Sequence, residues 1–144
     1  MSKHRKYLAV ASQTPPPQAS HFDPNVARQS PILFGFKHLT LDRKPFDCTV
    51  RHAEGMLYIL STFKIFSQVA RHNLEISYPN SHPVPDDQIH KHLLTDLVAK
   101  APNKKLHQLG RGRTPERIVG YFDSPISNLF QVCLLDLHHN LSGD

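Results

Sequence analysis

The sequence predicts an α+β fold, in which a strand and a helical hairpin precede a three-stranded antiparallel meander. Apolar residues recur at helical spacing in the middle of the chain. Apolar runs separated by turn formers fill the last third, as in consecutive strands. The 144 residues suit one domain. We therefore expect a single α+β domain over residues 31–144, and a disordered leader over residues 1–30.

The leader is predicted from its composition. Residues 13–20 are rich in Pro, Ser and Gln and include three successive prolines. Such a segment favours polyproline II over a packed element. The alternative is a segment that becomes ordered on a protein partner.

The first predicted strand and the two helices come next. The run from Ile32 to Leu41 is aromatic and apolar, and alternation predicts that Ile32, Phe34 and Phe36 share a face. A helical stripe covers 56–71. A second helix is predicted to open at Asp86, where acids suit a helix N-terminus, and to stop at Pro102. We expect this hairpin to cover one face of the sheet.

The meander is predicted from three strand-like runs, at about 104–109, 116–122 and 129–137. Residues 123–128, between the last two runs, are rich in turn formers. Short connections of this kind join antiparallel neighbours.

Composition narrows the class of protein. The formal net charge of +5 favours an anionic partner, although a merely basic surface gives the same number. Cys48 and Cys133 lack the spacing of a disulfide scaffold or metal motif. No apolar run approaches the length of a transmembrane helix, and the one after the basic N-terminus is too short for a signal peptide. We expect a cytoplasmic protein that does not bind membranes.

The chemistry indicated by the last third is that of phosphodiesters. Five Lys or Arg residues and a single acid, Glu116, lie between residues 101 and 120, and adjacent histidines close the last strand-like run. Arg and Lys hold phosphate, while His moves protons near neutral pH. This combination indicates a protein that acts on RNA.

The same region resembles the RelE/ParE superfamily of bacterial toxins. The similar stretches are Lys105–Gly110, Arg117–Tyr121 and Phe130–His139, together with the order of the elements. The resemblance implies an endoribonuclease without metal or organic cofactor, in which the RNA 2′-hydroxyl attacks the adjacent phosphorus. RNA or the ribosome would be its substrate, and an antitoxin or other protein its partner. It also implies a toxin–antitoxin protein, and the ending from Phe130 to Leu141 looks like that of small bacterial proteins from mobile or defence loci.

Such a reaction needs a base, an acid and cations that stabilise the phosphorane. Arg111, Arg113 and Arg117 are the candidates for charge stabilisation, and Arg117 is the best placed because it lies on a predicted strand. His138 or His139 is the candidate for proton transfer. Because neighbouring residues of a strand point to opposite faces, only one of the two histidines can face a given pocket. The remaining candidates for RNA binding are Lys104, Lys105, Arg111, Arg113 and Tyr121. No metal site is predicted.

The same residues also suit purely structural roles. Arg111 and Arg113 also suit a solvated turn, and Arg117 an ion pair with Glu116 or an acid on a neighbouring strand. Tyr121 also suits the core. The alternative functions are a nucleic-acid-binding or ribonucleoprotein-binding module without catalysis, and a phage or defence component that docks a protein partner.

Overall fold

The computed structural model of the protein describes residues 29–41, 53–139 and 141. The elements in these ranges are, in chain order, β1 (Leu33–Gly35), α1 (Ala53–Phe66), α2 (Arg71–Ser77), β2 (His82–Pro83), α3 (Lys91–Lys100), β3 (Leu106–Leu109), β4 (Arg117–Phe122) and β5 (Leu129–Asp136). The predicted α+β class is confirmed, with a strand, then helices, then a three-stranded meander. Most of the predicted leader, residues 1–28, lies outside the described residues.

The strands form one mixed sheet in the order β1-β5-β4-β3-β2. The β3–β4 and β4–β5 pairs are antiparallel and make up the predicted meander. At one edge β2 pairs antiparallel with β3, and at the other β1 pairs parallel with β5, so that Leu33 lies opposite Leu129. The central strand β4 is buried along its whole length.

Two apolar cores lie on the two faces of this sheet. One face packs against α3, whose Leu93 and Leu97 join a cluster with Val119 of β4. The other packs against α1 and α2 through a cluster that includes Ile59 and the neighbouring β4 residue Ile118. The expectation that both predicted helices cover one face is therefore wrong. Successive residues of β4 are apolar because each face has its own helical cover.

A β-bulge interrupts the pairing of the two central strands. Val119 lies opposite Leu134 and Gly120 opposite Val132, so Cys133 is the extra residue of β5. Cys133 and Leu134 both belong to the α3 core, as expected where a bulge turns two successive side chains to one side. Gly120 sits at this point because a Cβ there would lie 2.0 Å from the carbonyl oxygen of Gln131.

The helix predicted over 56–71 is two helices in the structure. The amides of Gln68 and Val69 bond three residues back, to Ile65 and Phe66, which tightens the end of α1. The carbonyl of Val69 then accepts a hydrogen bond from Ile32, 3.0 Å away. This long-range bond draws the chain out of the helix before α2 begins.

The second predicted helix begins later than expected. Residues Asp86–Gln88 form a single 3-10 turn, and α3 starts at Lys91. The amide of His90 donates a hydrogen bond to the carbonyl of Leu141, 3.3 Å away. This amide therefore does not take part in a helix that begins at Asp86. The predicted stop before Pro102 agrees with the last helical residue, Lys100.

The first strand is shorter than its apolar pattern. Ile32 is buried and Phe34 packs edge-to-face on Phe63, but Phe36 is half exposed beyond the end of the strand. No described helix is long and apolar enough to cross a lipid bilayer.

Candidate functional site

The residues predicted to bind or cleave RNA divide between two ends of the sheet. Lys104 and Lys105 precede β3, whereas Arg111 and Arg113 follow it. Lys105 and Gly110 are five steps apart along extended chain, or roughly 17 Å at about 3.3 Å per step. The antiparallel pairing brings Arg117 and the residues after β5 to the same end as Arg111. The basic stretch is therefore not one patch.

At the end of the sheet that also carries Arg111, Arg117 stabilises the turn between β3 and β4. It is the first residue of β4 and is 7% exposed. Its Nη1 donates hydrogen bonds to the carbonyls of Thr114 and, at 2.8 Å, Glu116. Burial lowers the pKa of Arg117, while the neighbouring Tyr58 and Asp136 raise it. The guanidinium is thus directed at protein carbonyls rather than at an open surface.

His138 and His139 lie beyond the last strand, which ends at Asp136. Both side chains are exposed, and His139 has a φ of 58°. The carboxylate of Asp136 accepts hydrogen bonds from the amides of His138, at 3.2 Å, and Leu141, at 2.9 Å, which shapes a turn. The alternation of a strand therefore does not govern where the two imidazoles point.

Arg111 and Arg113 have separate surroundings in the β3–β4 turn. The guanidinium of Arg111 stacks on the ring of Tyr58 of α1, 4.4 Å from its centroid. Arg113 is exposed. Asn80 stabilises this turn, because its Nδ2 donates a hydrogen bond to the carbonyl of Gly112 at 2.5 Å.

Tyr121 lies in the core rather than on the surface. It is 6% exposed and belongs to the apolar cluster under α3, where burial raises its pKa. A ring in this position has no free face on which a nucleobase can stack.

The opposite end of the sheet carries a cleft of about 350 Å³. Side chains from two segments line it: Arg71 from the start of α2, and Lys104, Lys105 and His107 from the loop before β3 and its first residues. A second cavity of about 200 Å³ shares Arg71 and His107 with the first and extends along α2 to Glu75. We call the two together the basic cleft.

Arg71 is fixed in the basic cleft by the β4–β5 turn. Its guanidinium lies over the ring of Phe122, with 3.8 Å between Cζ and the ring centroid. Its Nη1 donates to the carbonyls of Ser124, at 2.9 Å, and Ser127. A cation held by stacking and carbonyl contacts loses little further freedom when it meets an anion.

Lys104 and Lys105 form the exposed wall of the basic cleft. The ammonium of Lys104 donates to the carbonyl of Asp123, which draws this lysine toward the same β4–β5 turn that holds Arg71. The carbonyl of Lys105 lies within hydrogen-bond distance of His107 Nδ1.

His107 is the buried polar group of the basic cleft. It is 9% exposed, its ring packs edge-to-face on Phe122 with 5.3 Å between centroids, and its Nδ1 lies 3.0 Å from the carbonyl of Lys105. Because a carbonyl only accepts, Nδ1 carries the proton and Nε2 keeps its lone pair. Burial lowers the pKa of His107, the hydrogen bond to Lys105 opposes that change, and Arg71 adds to it. The imidazole is therefore neutral near pH 7.

Sequence reasoning identified Lys104 and Lys105 of this cleft but missed Arg71 and His107. The alternation of β3 was a usable signal, since Lys105, His107 and Leu109 fall on one face. Among the described residues, no group of three or more His, Cys, Asp or Glu side chains is arranged to hold a metal ion.

Comparison with known proteins gives no relative for this chain. No protein family matches the sequence, no curated protein matches it, and no solved structure matches the fold. The resemblance to RelE/ParE toxins stays a prediction from residues 104–139 and the order of the elements.

Proposed function

We propose that the protein binds single-stranded RNA through its phosphate backbone, with the basic cleft as the binding surface. The observation that carries the proposal is the convergence on one concavity of Arg71, from the start of α2, with Lys104, Lys105 and His107, from the later segment that leads into β3. A cleft lined by cations, in a protein whose formal net charge is +5, attracts a polyanion.

The shape of the cleft favours a single strand. A volume of about 350 Å³ accommodates a phosphate with its sugar, whereas the stiff cylinder of a duplex meets a protein over a broad convex surface. The proline residues Pro83 and Pro125 line the same cleft and give its walls apolar surface. A flexible backbone can enter between such walls and place its phosphate against Arg71.

The neutral imidazole favours RNA over DNA. With Nδ1 directed at the carbonyl of Lys105, His107 Nε2 is a hydrogen-bond acceptor in a cleft that also contains Arg71, Lys104 and Lys105. Phosphate oxygens only accept, so they gain nothing from this atom. The ribose 2′-hydroxyl can donate to it, and DNA lacks that group.

RNA cleavage, predicted from the sequence, is the second candidate function, and the observation that favours it is the same neutral histidine beside cations. The ribosome and an antitoxin stay predicted partners, supported by the resemblance alone. Arg117, His138 and His139 stay predictions as catalytic residues. The buried contacts of Arg117 favour a structural role for that residue.

The test is binding of a short, fluorescently labelled single-stranded RNA, measured by anisotropy over a range of salt concentrations. Lys105→Ala should weaken binding about fivefold, which corresponds to a charge-assisted contact of about 1 kcal/mol. The slope of log affinity against log salt should fall by about 0.7 for the lost phosphate contact.

Lys91→Ala is the matched control, since it removes the same charge from α3, on the other face of the sheet. We expect its affinity to stay close to that of the unmodified protein. Equal losses in the two variants, or binding that is insensitive to salt, would contradict the proposed cleft. Equal affinity for the DNA of the same sequence would contradict the preference for RNA.

A further inference from the structure

We infer that the basic cleft selects guanine: its second cavity takes the base, and the carboxylate of Glu75 binds the Watson–Crick edge of that base. This inference rests on the RNA binding proposed above and adds a base preference to it. The ligand chemistry is a guanine base with a phosphate beside it, which either an RNA strand or a free guanosine nucleotide supplies.

The first support is the position of the second cavity. It shares Arg71, His107 and Phe122 with the larger cavity, so the two are adjacent. A nucleotide whose phosphate meets Arg71 therefore has its base within reach of the second cavity. A volume of about 200 Å³ holds a single nucleobase but not a base pair, which agrees with an unpaired strand.

The second support is the placement of Glu75. Arg71 and Glu75 are one helical turn apart in α2, so they lie on the same face of this helix. Both line the second cavity, and the Glu75 carboxylate is near enough to the imidazole of His107 to raise its pKa.

The charge of Glu75 indicates what it binds. Among the described residues that line the basic cleft, Glu75 is the single carboxylate. A carboxylate repels phosphate, so it contributes nothing to binding the backbone. Its place beside the phosphate-binding cations points to a part of the ligand that donates hydrogen bonds.

The third support is the hydrogen-bonding pattern of the four bases. The two oxygens of an ionised carboxylate only accept, so they suit two adjacent donors. Guanine presents such a pair, its N1–H and 2-amino groups. Adenine and cytosine place an acceptor beside their amino group, and uracil has one N–H between two carbonyls. The carboxylate therefore attracts guanine and repels the acceptors of the other bases.

The surroundings of Glu75 also suit a flat aromatic base. Ile76 lines the same cavity and is 80% exposed, so a bound base would remove apolar surface from water. His72, in the same cavity wall, supplies an aromatic ring of the kind on which unpaired bases stack.

The test measures binding of labelled oligouridines in which one central base is guanine, adenine, cytosine or hypoxanthine. We expect the full chain to bind the guanine RNA at least about tenfold more tightly than the adenine, cytosine or all-uridine RNA, the usual discrimination of a two-bond contact. Hypoxanthine keeps N1–H but lacks the 2-amino group, so its affinity should lie between those of guanine and adenine. Fluorescence anisotropy gives each affinity.

The variant is Glu75→Gln, which keeps the size of an exposed side chain but replaces one acceptor with a donor. We expect the preference for guanine to fall below about threefold. The affinity for the all-uridine RNA should stay the same or rise by up to about twofold, because a negative charge leaves the cleft.

Glu54→Gln is the matched control. It makes the same chemical change at the start of α1, where the neighbouring Gly55 approaches Leu137 at the other end of the sheet. This variant should keep the full preference for guanine.

A calorimetric titration with guanosine and adenosine 5′-monophosphates separates the two sources of the base. Binding of guanosine monophosphate that is stronger than that of adenosine monophosphate, and is lost in Glu75→Gln, would support the guanine site. The same result without any binding of RNA would overturn the proposed function, support the site and identify a free nucleotide as its ligand.

The remaining outcomes overturn the inference. Salt-dependent RNA binding without a preference for guanine would overturn the guanine site and leave the proposed RNA binding standing. A Glu75→Gln variant that changes the affinity for every RNA by the same factor would show that the carboxylate acts through its charge alone. Loss of the guanine preference in Glu54→Gln would overturn the assignment to Glu75.

Discussion

Replacing Gly120 with alanine tests the packing of the central strands most directly. The new Cβ would lie 2.0 Å from the carbonyl oxygen of Gln131 and 2.8 Å from Cε1 of Phe130. The first of these is a backbone atom of β5 at the bulge, so neither a rotamer change nor a small side-chain movement relieves the contact. Separating the two central strands breaks ladder hydrogen bonds and opens both cores.

The expected loss is large for one methyl group. Overpacking usually costs about 1–3 kcal/mol, and a clash with backbone belongs at the upper end or above it. We expect Gly120→Ala to lower the free energy of unfolding by about 3 kcal/mol or more, and the melting temperature by about 10 °C or more. Urea unfolding followed by circular dichroism measures the first, and a thermal scan the second.

Gly55→Ala is the matched control, since it makes the same chemical change in α1. There a Cβ would meet its nearest atom, Leu137 Cδ2, at an ordinary 3.5 Å. Alanine is favoured over glycine in a helix, so this variant should gain about 0.5 kcal/mol. A Gly120→Ala protein whose unfolding free energy stays within about 1 kcal/mol of the native value would refute the reasoning.

Three further changes test individual side chains. The lowered pKa of His107 means that the unfolded chain binds more protons below pH 6.5. The stability is therefore complete above that pH and is lost as the pH falls through it. Urea midpoints should decrease between about pH 7.5 and about pH 5.5, and more steeply than in His107→Asn; parallel curves would argue against a neutral buried ring. Arg117→Met should lower the free energy of unfolding in urea by about 1–3 kcal/mol, because the carbonyls of Thr114 and Glu116 lose their donor. It should leave the affinity for RNA unchanged. A large loss of affinity would show that Arg117 belongs to the binding surface. Burial raises the pKa of Cys133 to about 11, so in a Cys48→Ser background iodoacetamide should label this thiol only after unfolding, as mass spectrometry can measure; rapid labelling of the folded protein would show that the thiol is accessible.

The meander was predictable from the sequence because its signals are local. The apolar runs that became β4 and β5 are bounded by turn formers, and the observed strands begin and end within a few residues of those bounds. The edge strand His82–Pro83 was not predictable, since two residues have no periodicity. It exists only because β3 offers an unpaired edge beside it.

The face of the sheet that each helix covers was harder to predict than the strands. Amphipathic spacing in α1 and α3 indicates one buried stripe on each helix, but it does not say which face of the sheet that stripe meets. The deciding signal lies in β4, where consecutive apolar residues such as Ile118 and Val119 require cover on both faces.

The candidate site was only partly predictable. Charge density identified Lys104 and Lys105, since clustered lysines are visible in a sequence. Arg71 closed a predicted helix and His107 stood inside a strand, so neither carried a local signal. What distinguishes them is burial against Phe122, which depends on contacts between segments far apart along the chain.

The parallel pairing of β1 with β5 sets the timing of folding during synthesis. Leu33 pairs with Leu129, so the first strand leaves the ribosome long before its partner has been made. Ile32 and Phe34 cannot pack until Phe130 and Val132, which belong to the same core, have been synthesised. Long-range closure of this kind is slow, and the waiting apolar segment is exposed meanwhile. The nascent chain therefore cannot complete this sheet edge until β5 emerges from the ribosome.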